Sequence, residues 1–228
     1  MKRREFLLTG TSAVSAAFLS SAFGSFFAGP ASAAESDEGF SHELVQKQAA
    51  ALATKPFKAS VAPIDEHWAG ITYDQYRDIR VPETARIWGG PGMPFQVDLL
   101  PAGFLFKEGV RVNLVEDGKA SEIVPTLDRF TFGPNITVPE GIALPFSGFR
   151  IRTPINTPDV MDEAIVFQGA SYFRAVGKNL HYGLSARGLA LKTADMDGEE
   201  FPIFREFWIE RPQPSDTTIV VHALLDSE

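Results

Sequence analysis

The chain has 228 residues, with 29 Asp+Glu against 21 Lys+Arg, a formal net charge of −8 and no Cys. That length suits one domain, or one and a half. The acidic balance makes nucleic acid and anionic membrane surfaces poor partners, and without Cys no disulfide can form, so stability must come from packing.

The chain opens MKRREFLLTG, placing Lys2, Arg3 and Arg4 ahead of a mildly apolar stretch from Leu7 to Ala28; Ala31-Ser32-Ala33 then supplies an A-x-A cleavage signal. Residues 1–33 read as an export peptide, cleaved after Ala33. Arg3-Arg4 followed by Phe6-Leu7 fits the twin-arginine type, an address read by the twin-arginine export machinery rather than a stable membrane anchor. A transmembrane helix is the alternative, which the many small and hydroxylated residues suit poorly. The expected product is a periplasmic domain, 34–228, two charges more negative than the whole chain. Twin-arginine substrates often carry redox cofactors. Here the four histidines (His42, His67, His181, His222) stand far apart with no metal-ligand spacing, so neither cofactor nor metal is expected.

ESDEGFSHELVQKQAAALATKPF (35–57) reads as one helix: Ser41 caps it, Leu44, Val45, Gln48 and Leu52 repeat at helical spacing, and Pro56 follows its end. A second short helix is expected at TYDQYRDI (72–79), where Thr72 and Gln75 form a capping box. After Arg80 the pattern turns to strands. RIW, MPFQVDLL and GFLF are short apolar runs; VRVNLVEDGKASEIV (110–124) is a hairpin about Asp117-Gly118, a pair that accepts positive φ. GFRIRTPI, DEAIVFQGASYFRAV, YGLSARGLALKT, EFPIFREFWIERP and TTIVVHALLD continue it. One or two early helices and many short strands predict a mainly β chain with antiparallel sandwich architecture. An apolar strand two residues before the last residue predicts an incomplete sandwich with an unprotected edge.

Familiar catalytic patterns are missing. Gly169-Ala170-Ser171-Tyr172-Phe173 and Gly183-Leu184-Ser185-Ala186-Arg187 both lack the second Gly of a nucleophile elbow, and no phosphate-binding Gly loop occurs. Glu206 and Glu210 lie four residues apart on one strand face, about 13 Å at strand rise. That is wider than the roughly 5–9.5 Å of glycosidase carboxylate pairs. Asp195 and Asp197 read as a solvated turn. What remains is a polar and aromatic sheet face: Tyr172 with Arg174, Ser185 with Arg187, and Glu206, Trp208 and Glu210 on a third strand. Such a face can stack on sugar C–H surfaces and fork hydrogen bonds to hydroxyls. The competing reading is that Arg and Glu pair across strands while Trp208 packs against a neighbouring element.

YDQYRDIR (73–80), GFRI (148–151), DEAIVFQGASYFRAVGKNLHYGLSARGLA (162–190) and GEEFPIFREFWIERP (198–212) closely resemble the periplasmic glucan biosynthesis family, OpgG/OpgD (MdoG/MdoD). The likeness runs from about residue 40 to ALLDS at 223–227, and the twin-arginine start resembles the OpgD branch. The resemblance implies a β-sandwich similar to galactose mutarotase, followed in the family by a smaller immunoglobulin-like domain. It implies action on osmoregulated periplasmic glucans with a β-1,2-linked glucose backbone, in some members as inverting β-1,2-glucanases. Family members continue past ALLDS, and the acids taken as catalytic lie in that later part, so no catalytic residue carries over. On this reading 34–228 is the N-terminal part of the sandwich domain. The residues expected to touch glucan are Tyr172, Arg174, Arg187, Glu206, Trp208 and Glu210. A non-catalytic glucan-binding or assembly factor, or an inactive truncated fragment, are the alternatives; oligomeric state stays open.

Overall fold

The computed structural model describes residues 39–228. The expected export signal and its cleavage site lie outside the described residues. Among those described, no helix is long and apolar enough to cross a membrane.

Three short helices form where caps satisfy the amides that a first turn leaves open. In α1 (His42–Ala53), Ser41 Oγ accepts from the Leu44 amide, and Val45 is buried. One turn, α2 (Glu66–Ala69), goes beyond the helices expected from sequence. Asp65 caps it, and it buries Trp68 completely, with the indole Nε1 donating to Ala143 O at 3.0 Å. In α3 (Tyr73–Arg77) the capping box forms as expected: Gln75 Oε1 accepts from the Thr72 amide at 2.8 Å, and Thr72 Oγ1 from the Gln75 amide.

Eleven strands are described: β1 (Ile79–Arg80), β2 (Gln96–Pro101), β3 (Arg111–Glu116), β4 (Lys119–Glu122), β5 (Thr131–Phe132), β6 (Phe146–Thr153), β7 (Asp162–Gln168), β8 (Tyr172–Ala175), β9 (Ala186–Arg187), β10 (Ile203–Glu210) and β11 (Val221–Asp226). They make a five-stranded antiparallel sheet, β2-β6-β7-β8-β9, a four-stranded sheet, β11-β10-β3-β4, and a β1-β5 ribbon. The chain is mainly β with two principal sheets, as expected. One ladder, β3–β10, is parallel. Parallel pairing needs a long crossover, and here the entire excursion through β5 to β9 supplies it.

The β3–β4 hairpin turns on Asp117 (φ 49°) and Gly118 (φ 74°), the two positive-φ positions of a tight turn. YGLSARGLALKT yields only the two-residue β9, so Ser185 is not in a strand. Gly148 lets β6 and β7 approach: a Cβ there would sit 1.9 Å from Phe167 O.

The two sheets meet through phenylalanines. Phe149 of β6 meets Phe207 of β10 at 4.9 Å and 83°, and Phe167 of β7 meets Phe204 of β10 at 5.9 Å and 78°. Edge-to-face packing of this kind adds roughly 0.5–1.5 kcal/mol per pair beyond area burial. It also fixes which way each strand faces, because successive side chains alternate. With Phe207 turned inward, Glu206, Trp208 and Glu210 lie on the outer face of the four-stranded sheet. With Phe173 stacked on Phe167 at 5.4 Å, Tyr172 and Arg174 lie on the outer face of the five-stranded sheet.

Candidate functional site

The outer face of the five-stranded sheet carries an open groove of ≈ 510 Å³. Phe106, Glu163, Gln168, Tyr172, Arg174 and Tyr182 line it. β7 and β8 position this set through their register, which pairs Val166 with Arg174 and Phe167 with Phe173. Arg174 Nε donates to Ser185 Oγ at 2.8 Å, which holds the guanidinium along the wall. Arg187 pairs with Tyr172 across β8–β9, and its guanidinium lies 5.5 Å from the Tyr172 ring centroid. Glu199 holds the far side of Arg187 at 3.0 Å.

Beside the groove lies a charge network built on β2 and β6. Asp98 is fully buried. Its Oδ2 meets Arg150 Nε at 2.7 Å and Arg152 Nε at 2.8 Å, and its Oδ1 meets Arg86 Nε at 3.2 Å. Arg150 carries the network onward: its Nη1 donates to Glu163 Oε2 at 2.9 Å, and the Tyr182 hydroxyl donates to Glu163 Oε1 at 2.8 Å. Burial, together with the hydrogen bond to the Glu163 carboxylate, pushes the Tyr182 hydroxyl above its ordinary value, so it remains a neutral donor. Gln168 Nε2 donates to Tyr76 Oη at 2.8 Å and to Ser147 Oγ at 2.9 Å. Burial raises the Tyr76 hydroxyl as well.

The arrangement offers aromatic rings from Phe106, Tyr172 and Tyr182, hydrogen-bond donors from Arg174, and the carbonyl oxygen of Gln168, whose amide nitrogen is already engaged by Tyr76 and Ser147. That mixture suits a neutral polyhydroxyl ligand, with C–H faces on rings and hydroxyls on forks. It is weakly equipped for glycosidic bond cleavage. Among the described residues Glu163 is the carboxylate lining the groove, and both its oxygens are already engaged.

The outer face of the four-stranded sheet is different. Helix α1 covers it, and Trp208, 2% exposed, packs with Val45, Val115 and Leu224 while its ring stacks at 6.0 Å on Phe40. Glu206 is 4% exposed; its Oε1 accepts from Asn113 Nδ2 at 2.8 Å, and its Oε2 pairs with Arg111. Burial raises the Glu206 carboxyl above the usual range despite those partners. Glu210 accepts from His222 Nε2 at 2.7 Å when that nitrogen carries its proton.

The structure therefore splits the six residues expected on one sugar-facing surface. Tyr172 and Arg174 line the groove, while Arg187 stands behind Tyr172, held by Glu199, and is not among the lining residues. Glu206, Trp208 and Glu210 are on the opposite outer face, in the cross-strand pairing and helix packing that sequence left open as the competing reading. Residues not singled out from sequence complete the groove: Phe106, Glu163, Gln168 and Tyr182. Alternation in FRIRT and FQVDLL does place Arg150, Arg152 and Asp98 opposite the apolar residues. Which strands are neighbours is not in that pattern.

A family model described as "Periplasmic glucan biosynthesis protein, MdoG" matches residues 40–228. "Glucans biosynthesis protein G" of Shewanella sp. strain W3-18-1 is 51% identical over 193 residues, which is 82% of this chain and 35% of that protein. "Glucans biosynthesis protein G 1" of Shewanella oneidensis is 50% identical over the same lengths. Both carry the G designation; the export signal that suggested the D branch lies outside the described residues. The chain spans about a third of the length of the curated relatives it matches.

Proposed function

The chain belongs to the periplasmic glucan biosynthesis family, and from that premise we propose that the groove between β7, β8 and Tyr182 holds a glucan strand. The observation that carries this reading is the open groove with Tyr172 and Arg174 side by side on its wall. Tyr172 and Tyr182 offer faces to the apolar sides of glucose rings, Arg174 donates to the hydroxyls between them, and Gln168 accepts through its carbonyl oxygen. The ligand in this proposal is the β-1,2-linked backbone of an osmoregulated periplasmic glucan, delivered to a chain exported by the twin-arginine route and cleaved after Ala33.

Two carboxyl groups are needed for the inverting β-1,2-glucanase chemistry we propose for the full-length form: one protonates the glycosidic oxygen, the other activates water. Glu163 by itself does not supply that pair. Within this chain the role is to bind and orient the polymer. The test is titration of linear β-1,2-glucan into the protein, alongside a reducing-end assay on the same polymer. Binding that weakens in Tyr172→Ala and Arg174→Ala, with no release of reducing ends, supports the reading. Unchanged affinity in both variants overturns the groove assignment; release of reducing ends by the 228-residue chain overturns the separation of binding from cleavage.

A further inference from the structure

His42 and His222 are 180 residues apart in sequence, yet the packing of α1 on β11 brings their Nδ1 atoms to 3.4 Å, with ring centroids 5.6 Å apart. Two imidazole nitrogens bound to one tetrahedral Zn²⁺ at about 2.0–2.1 Å stand about 3.4 Å from each other. From this match we propose that His42 Nδ1 and His222 Nδ1 form a two-histidine site for a divalent transition metal of the Zn²⁺, Ni²⁺ or Cu²⁺ class, distinct from the glucan groove.

The outer nitrogens support it. A metal-binding imidazole usually gives its other N–H to a carboxylate or amide oxygen, which fixes the tautomer and makes the ligating nitrogen more basic. His222 Nε2 is 2.7 Å from Glu210 Oε1, so an Nε2–H directed at that carboxylate leaves Nδ1 with a free lone pair. His42 Nε2 is 3.1 Å from the Gln46 side-chain amide. An amide presents either its nitrogen or its oxygen by a half-turn. With the oxygen forward it accepts Nε2–H, and His42 Nδ1 becomes free as well. Phe40 stands edge-on to His222 at 5.1 Å and walls one side.

The partial positive charge at the start of α1 opposes a cation there. Glu43 in that first turn and Glu210 on β10 offset it. Among the described residues no group of three or more His, Cys, Asp or Glu converges, so water completes the coordination sphere. Occupancy ties the first turn of α1 to β11, reinforcing the lid over Trp208.

The experiment is calorimetric titration of Zn²⁺ into the metal-free, tag-free 228-residue protein, with Cu²⁺ electron paramagnetic resonance as an independent readout. One equivalent binds; His42→Ala and His222→Ala each weaken it at least tenfold, and Glu210→Gln weakens it about tenfold, the scale for an outer partner of a ligand. His67→Ala and His181→Ala leave it unchanged. The Cu²⁺ spectrum shows coupling to two imidazole nitrogens. His42→Ala lies on the exposed end of a helix, so it keeps the test valid should His222→Ala fold poorly; circular dichroism reports that. Absence of binding in the unaltered chain, an unchanged end point in the His42→Ala variant, or a spectrum with one nitrogen overturns the proposal. The outcome is independent of glucan binding, since no groove residue is altered.

Discussion

The two outer faces of the sandwich begin from similar material and end differently. Both present Arg, Glu and an aromatic residue on alternate strand positions. On the four-stranded sheet, α1 lies across that row, so Trp208 becomes core and Glu206 must satisfy its charge internally with Arg111 and Asn113. On the five-stranded sheet no helix among the described residues lies across β7 and β8, and Tyr172 and Arg174 border a groove of ≈ 510 Å³. Similar alternation thus gives packing where a helix covers the sheet and an open groove wall where none of the described residues does. The residue types do not decide between them.

The covered face should respond most to truncation. Trp208→Ala is expected to cost about 3–5 kcal/mol of stability, the range for removing a large buried aromatic side chain, and to leave glucan affinity per folded molecule unchanged. Denaturant unfolding with a glucan titration on the folded fraction checks this. A fall in affinity without a fall in stability would mean that the ligand reaches the α1 face.

On the open side the largest stability effect is expected beside the groove rather than in it. Asp98→Ala leaves three guanidinium groups about a vacated carboxylate site, at a cost of about 3 kcal/mol, the lower end for breaking a buried ion pair because the arginines keep some exposure. It should loosen Glu163 through Arg150, so that glucan affinity falls with stability. An unfolding midpoint equal to that of the unaltered chain would show the network to be dispensable.

The groove residues should respond in the reverse sense. Tyr172→Ala and Arg174→Ala should each weaken glucan binding about fivefold to tenfold, near 1–1.4 kcal/mol, while unfolding midpoints move little, as for other surface changes. If stability and not binding responds, both faces are scaffold.

The smallest effects are those of pH. The Tyr182 hydroxyl has a folded pKa raised above 10.0. The stability it contributes is therefore fully present below the unfolded value and is lost as pH rises from there through the folded value, where the bond to Glu163 breaks. A spectrophotometric phenol titration should show Tyr182→Phe removing one late-ionising group and flattening that alkaline fall. Glu206 gives the opposite limb. Its folded pKa is raised above 4.5, so the folded chain takes up the proton first and stability gains as pH falls through that window. Glu206→Gln should lack the gain in acid unfolding curves.

Local chemistry alone settled much of this. The Ser41 cap, the Thr72–Gln75 box and the Asp117-Gly118 turn form as expected, because each is completed within a few residues of chain. Strand alternation likewise settled that Tyr172 and Arg174 share one side of their strand and that Glu206, Trp208 and Glu210 share one side of theirs. Tertiary structure decided which side is covered and which nonlocal groups meet: Tyr182 with Glu163, Asp98 with three arginines, His42 with His222. Those outcomes depend on sheet order, on the parallel β3–β10 ladder and on where α1 docks. Sequence spacing constrains a residue's direction along its own strand, but the partner it faces is set by packing between segments up to 180 residues apart.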